Sequence, residues 1–240
     1  MSRSRVVVTG LRGAASAVVA AVFCLGLLAA APARAQDAAA APARADFVGE
    51  PASRDTRRMA DWVVAEHDNA GLPFVIIDKV AAKVFVFDPH GRLSGAAPAL
   101  LGLTRGDDTV PGIGQRKLAT IGPTERTTPA GRFVASLGRD LGEKDVLWVD
   151  YASGVALHRV VTSNPREHRL QRLASPSPLQ RRISYGCINV PAGFYDAIID
   201  PAFAGTSGVV YILPETRPLE QVFAGLAAAH SAAMASEASR

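Results

Sequence analysis

Aromatic residues make up only 6% of this 240-residue chain, so a core has to be built from Val, Ile, Leu and Ala. Cysteine is scarcer still, at two residues. There is no P-loop, no G-x-G-x-x-G, no cysteine pair at zinc spacing and no internal repeat, so nucleotide-phosphate cradles, zinc modules and solenoids have no basis in the sequence. Nor is there a true excess of one charge. The formal net charge is +4, but residues 1–35 carry four Arg and no acid, which leaves 22 basic and 22 acidic residues in the rest. Nucleic-acid binding thereby loses its electrostatic footing. What remains, 48% hydrophobic and 20% charged, is the composition of a globular protein.

Residues 1–35 read as an export signal. Arg3, Arg5 and Arg12 precede the uncharged apolar run Ala14 to Ala31, and Pro32 breaks it ahead of Ala33-Arg34-Ala35, a small-residue cleavage pattern before Gln36. The alternative is an uncleaved anchor, since 18 apolar residues lie at the short end of a membrane span. With cleavage, the mature protein keeps no stable membrane span and works in the periplasm or cell envelope. Phe23 is too bulky for a lipoprotein site at Cys24, so Cys24 leaves with the peptide and Cys187 stands alone. An internal disulfide is then impossible, in a compartment that normally favours one. A lone exported thiol is either a buried, inert small hydrophobe or a functional group.

Residues 36–54 form an Ala/Pro/Arg tract without periodicity, the pattern of a flexible linker. Asp55 to Asn69 has helical spacing through Met59, Trp62, Val63 and Glu66, with Trp62 facing the main domain. From Phe74 the period becomes two. Strands are expected at Phe74–Asp78, Lys83–Asp88, Leu118–Ile121, Phe133–Leu137, Val146–Asp150, Val155–Val161 and Val209–Leu213, with a short helix over Pro191–Ile199. This predicts one mostly β domain, sandwich or barrel, over residues 55–218, followed by an Ala-rich helical tail over 219–240.

The chemistry concentrates in Ile183-Ser-Tyr-Gly-Cys-Ile-Asn189. A thiol nucleophile needs a base or cation, N–H donors for an oxyanion, and room for substrate. Gly186 removes a side chain beside Cys187, and Ser184, Tyr185 and Asn189 offer polar groups to order the turn. The base is expected at His158, a polar ring in the strand-like run Val155–Val161, with His168 in a polar loop as the alternative. The segment from Ser163 to Arg182 holds five Arg, Arg182 among them, and one Glu; it is either a lid that meets substrate carboxylates or a solvated insertion. Arg159 and Arg182 are candidate substrate contacts.

The run Ser184-Tyr185-Gly186-Cys187-Ile188-Asn189 resembles the catalytic motif of the L,D-transpeptidases, Ser/Thr-His-Gly-Cys-hydrophobic-Asn/Arg. Thr128-Pro129-Ala130-Gly131-Arg132-Phe133 is similar to that family's Thr-Pro-x-Gly-x-Phe segment, and the hairpin from Ile77-Asp78 to Asp88 and Gly91 to its opening. The likeness runs in order over residues 73–214. It implies a mostly β, β-sandwich-like catalytic domain with a few flanking helices. It implies action on peptidoglycan stem peptides as acyl donors, an amine as acceptor, and no metal or organic cofactor. By position, Cys187 becomes the nucleophile, Tyr185 and Gly186 flank the oxyanion-binding turn, and Ser184 and Asn189 support it.

Two departures stand out. Tyr185 occupies the place of the usual His, and a phenol carries no positive charge at neutral pH. His158 precedes Cys187 by 29 positions and His168 by 19, of which the shorter fits the family better and the longer sits in the better strand context. A same-fold L,D-carboxypeptidase or wall-peptide hydrolase, and a non-catalytic wall-binding module, are the competing functions.

Overall fold

In the computed structural model, residues 43–140, 142, 145–229 and 231 are described. The export signal and the start of the linker lie outside them. Among the described residues ten strands are present: β1 Phe74–Asp78, β2 Lys83–Phe87, β3 Leu93–Pro98, β4 Leu101–Gly102, β5 Gly131–Arg139, β6 Asp145–Asp150, β7 Val155–Arg159, β8 Arg182–Ser184, β9 Ile188–Val190 and β10 Ser207–Ile212. Eight of them form one mixed sheet in the order β3-β2-β1-β10-β5-β6-β7-β9, and β4 pairs with β8. The chain is therefore mostly β, with a large sheet and a few helices.

Alternation in β1 builds both layers of the core. Val75 and Ile77 join Val84, Val86, Leu147, Leu157, Ile188, Val190 and Val210 on one face. Phe74 and Ile76 join Phe85, Phe87, Val209 and Tyr211 on the other. A strand covered on both faces reads as a continuous apolar run, as Phe-Val-Ile-Ile does here. Strands from opposite ends of the sheet line the same inner face, so the sheet curls. Beyond β3, Leu100 and Asn189 exchange backbone hydrogen bonds of 2.8 and 2.9 Å, which ties the β3 end to β9 at the far end.

Helix α1, Arg54–Glu66, covers the outer face with Met59, Ala60 and Val63. Ser53 caps it by accepting from the Thr56 N–H, and both hydroxyls donate to Asp78 at the end of β1. It stops before the expected Asn69 because His67 turns left-handed. Trp62 meets Tyr211 edge-on at 6.5 Å, as its spacing implied.

Several expectations change. The supposed linker docks from residue 45: Phe47 is buried edge-on against Phe85 and Phe87, with centroids 6.0 and 5.2 Å away. Burying an aromatic ring outweighs the low-complexity look of its neighbours. The tail likewise anchors Leu219, Phe223 and Leu226 in the same layer, so the packed domain extends on both sides of 55–218. Leu118–Ile121 is not a strand; Leu118–Thr120 is a 3₁₀ turn with Leu118 in solvent. β3 was hidden by its small residues, Leu-Ser-Gly-Ala-Ala-Pro. They let the helical segment Ala192–Phe203 lie close, for a Cβ on Gly95 would stand 3.2 Å from Ile198 and Phe194. That segment consists of α3 Ala192–Phe194, a π-helical turn Tyr195–Ile199 and α4 Asp200–Phe203, longer than the expected Pro191–Ile199.

Candidate functional site

The Ser184–Asn189 motif is the link between β8 and β9. Ser184 closes it locally: its hydroxyl donates to the Cys187 carbonyl at 2.6 Å and accepts from the Gly186 N–H at 3.1 Å. Gly186 has φ +134°, and a Cβ there would lie 2.9 Å from the Thr127 carbonyl oxygen, so the close approach requires glycine. The threonine segment similar to Thr-Pro-x-Gly-x-Phe is that neighbour. Thr128, fully buried, donates to the Gly186 carbonyl at 2.8 Å and accepts from the Gly102 N–H at 2.9 Å. Two motifs 58 residues apart thus meet through one hydroxyl.

β7 runs parallel to β9 with His158 opposite Asn189 and Leu157 opposite Ile188. Continuing that register one step places Cys187 beside Ala156, so Cys187, Asn189, Ala156 and His158 share one face. A step of two residues along and one strand across separates the His158 and Cys187 Cα atoms by about 8 Å. His158 Nδ1 lies 2.7 Å from the Arg159 carbonyl, which can only accept, so Nδ1 carries the proton and Nε2 keeps a lone pair. Nε2 lies 3.3 Å from Asn189 Nδ2, which is also 3.5 Å from the Cys187 carbonyl. His158 opens on a cleft of about 540 Å³, bordered also by Val146, Val161, Ser163 and Ala192.

Cys187 is half-buried, and Sγ donates to the Gly154 carbonyl at 3.6 Å. Burial pushes the thiol pKa up; the Ala156 N–H and the Arg169 guanidinium pull it part of the way back. Arg169 is the residue that sequence reasoning missed. It opens α2, Arg169–Ala174, its side chain is only 13% exposed, and Nη1 donates to Asn189 Oδ1 at 2.6 Å while Glu167 holds Nε. The only available hint was its place in the Arg-rich segment. His168, one residue earlier, is exposed at φ 50° between two helical turns and joins none of these contacts.

Arg166 is exposed, but the remaining arginines of the segment look inward. Arg172 and Arg181 bind the carbonyls of Gln180 and Ser175. Arg182, 8% exposed, is held by Glu215 at 2.5 Å and by the Lys79 carbonyl at 2.7 Å, which takes it from the substrate contacts expected of it. Arg159 spans Asp145 and Asp196 at 2.9 and 2.6 Å and lies 4.2 Å over Tyr195. It borders the cleft but with its charge already matched. Tyr185 explains its own departure from the motif: the Arg126 guanidinium stacks 3.9 Å from its ring centroid. A protonated His there would face a cation, whereas a phenol ring attracts one.

Behind the Thr128 segment lies a buried ionic knot. Lys79 Nζ donates to Gly106 O, Asp107 Oδ1 and Thr128 O at 2.5, 2.8 and 2.9 Å. Burial by itself would raise the Asp107 pKa, but Lys79, the Thr216 hydroxyl and the N–H groups of Glu215 and Thr216 reverse this and hold it well below the carboxylate range. Among the described residues no three His, Cys, Asp or Glu side chains converge as metal ligands, and no helix is long and apolar enough to cross a membrane.

No family model and no curated protein matches the chain. Among solved structures it is similar to the LD transpeptidase LdtMt1 in complex with imipenem, at 16% identity and TM-score 0.34, over 59% of this chain and 58% of that one. It is similar to the L,D-transpeptidase of Xylanimonas cellulosilytica, at 17% and 0.36, over 59% and 60%. A third is the helical cell shape determining protein Pgp2 of Campylobacter jejuni, at 12% and 0.40, over 77% and 65%. The matched region thus spans about three fifths of the first two proteins.

Proposed function

We propose that the chain is an exported, cysteine-dependent L,D-transpeptidase acting on peptidoglycan stem peptides. The observation that carries this reading is that the Thr128 segment and the His158–Asn189 pair both converge on the Gly186–Cys187 backbone: Thr128 bonds the Gly186 carbonyl, and Asn189 lies between His158 and the Cys187 carbonyl. In the reaction, His158 Nε2 takes the thiol proton and Sγ adds to the carbonyl of the third stem residue. The carbonyl electrons move to oxygen, which the Cys187 N–H stabilises. Collapse expels the D-amino acid, whose nitrogen takes the proton from His158, and leaves a thioester. An acceptor amine then attacks the thioester and gives its proton to His158; collapse forms the new amide and expels the thiolate, which His158 reprotonates. Water in place of the amine would make the protein an L,D-carboxypeptidase.

The burial-raised thiol, and Tyr185 in place of a cationic His, favour the second reading, a non-catalytic wall-binding module. A carbapenem separates the two. Intact-protein mass spectrometry should find one drug mass added to the wild type and none to Cys187→Ala. An unmodified wild type with a demonstrably reduced thiol would overturn the enzymatic reading. Defined muropeptides then distinguish a new amide bond from free peptide.

A further inference from the structure

The peptide between Gly186 and Cys187 carries a carbonyl clamped by a side chain and an N–H that lies beside the sulfur. Its carbonyl accepts from the Thr128 hydroxyl at 2.8 Å, and its N–H lies next to Cys187 Sγ. A trans peptide is planar with C=O and N–H pointing opposite ways, so fixing one fixes the other. We propose that Thr128 is a positioning residue for acyl transfer: its hydroxyl sets the plane of the Gly186–Cys187 peptide and thereby aims the Cys187 N–H at the developing oxyanion.

The inference rests on the transpeptidase reading and adds to it a residue that never touches substrate. Several features make the clamp necessary. Gly186 sits at φ +134° without a Cβ, so local sterics alone hold the following peptide weakly. The Gly186 N–H is already engaged by Ser184, whereas the Cys187 N–H lies beside the sulfur. The Thr128 hydroxyl has one proton and is not free to turn. The Gly102 N–H occupies one of its lone pairs at 2.9 Å, and the Gly186 carbonyl is the acceptor that receives the proton. A Cβ on Gly102 would lie 2.5 Å from the Arg126 carbonyl and 2.7 Å from the Thr128 nitrogen, so this contact too requires glycine. Lys79 fixes Thr128 from behind through its carbonyl at 2.9 Å. The chain Lys79, Thr128, Gly186, Cys187 thus carries rigidity from the domain interior to one N–H.

The test compares two reactions of the same sulfur. With p-nitrophenyl acetate, the thiolate adds to a carbonyl, an oxyanion forms, and collapse expels p-nitrophenolate to leave acetyl-Cys187. With iodoacetamide, sulfur displaces iodide from a saturated carbon and no oxyanion arises. Losing an oxyanion donor typically costs about 10²–10³ in rate, so a donor that remains but is poorly aimed should cost roughly 10–100-fold. Thr128→Val should therefore slow acetylation roughly 10–100-fold at matched pH and leave alkylation within about twofold. Thr128→Ser should restore acetylation. If the Val variant fails to fold, Thr128→Ala, which also deletes the hydroxyl, carries the same comparison. Equal slowing of both reactions would reveal general disturbance of the turn and overturn the inference, as would unchanged acetylation in Thr128→Val. A wild-type protein that iodoacetamide alkylates but the ester never acetylates would instead defeat the transpeptidase reading itself.

Discussion

Replacing Lys79 by Met tests whether the buried knot supports the site, because Met fills the space of the stem and deletes only the ammonium. The Lys79 side chain is 0% exposed and that of Asp107 1%, so water cannot take over the lost contacts without entering the core. Three acceptors lose a charged donor: the Gly106 and Thr128 carbonyls and the Asp107 carboxylate. Removing one partner of a buried pair costs about 3–5 kcal/mol, chiefly because the other charge is left behind. Asp107 keeps the Thr216 hydroxyl and two backbone N–H donors, which places the loss toward the lower end. For a loss of about 3–4 kcal/mol, at roughly 2–4 °C per kcal/mol for a domain of this size, the melting temperature should fall by roughly 6–16 °C. Urea and thermal unfolding by circular dichroism measure it. Adding Asp107→Asn removes the stranded charge, so the double variant should lose less than the two singles together. A change within about 1 kcal/mol for Lys79→Met, or strict additivity in the cycle, would show that the knot is not an energetic unit.

His158→Ala should lower acyl transfer from a stem peptide by about 10²–10⁴, while His168→Ala leaves most of it; kinetic assays giving the reverse order would move the base to His168. Arg169→Met should raise the thiol pKa further, since a cation that favours thiolate is lost. The pH profile of iodoacetamide alkylation should then shift upward relative to wild type, and a superimposable profile would count against Arg169. Gly186→Ala forces a Cβ to within 2.9 Å of the Thr127 carbonyl at φ +134°, with a strain of about 1–3 kcal/mol. Its unfolding midpoint should drop, and a wild-type midpoint would mean that the turn relaxes freely. Asp107, with its folded pKa below the unfolded value, gives stability that is complete above the ordinary carboxylate range and lost as pH falls through and below that range. Wild-type stability should therefore decline in acid with a smaller slope in Asp107→Asn, measurable by urea titration at stepped pH.

Local chemistry made several features legible in the sequence. Short apolar runs marked β1, β2, β5, β6, β7 and β10, alternating where one face is buried and continuous where both are. The helical spacing of Met59, Trp62, Val63 and Glu66 marked α1, and Gly186 with Cys187 marked a turn built for close approach. His158 stood out as a polar ring in an apolar run. None of this required a long-range contact.

The rest depended on packing between distant segments, which no single stretch of sequence encodes. β3 is small because the Ala192–Phe203 segment lies on it, and β8 and β9 are too short to show a period. Phe47 reads as linker until Phe85 and Phe87 receive it. Arg182 and Arg159 looked available to substrate, but apposed carboxylates engage both. Arg169 looked like one more charge in a polar loop, yet the return of that loop over β9 brings its guanidinium to Asn189. The residue types needed for thiol chemistry were thus determined by the sequence itself. Their pairing, the burial that raises the thiol and the hydroxyl that holds the Gly186 carbonyl were decided by the fold, since hydrogen bonds and desolvation act across space rather than along the chain.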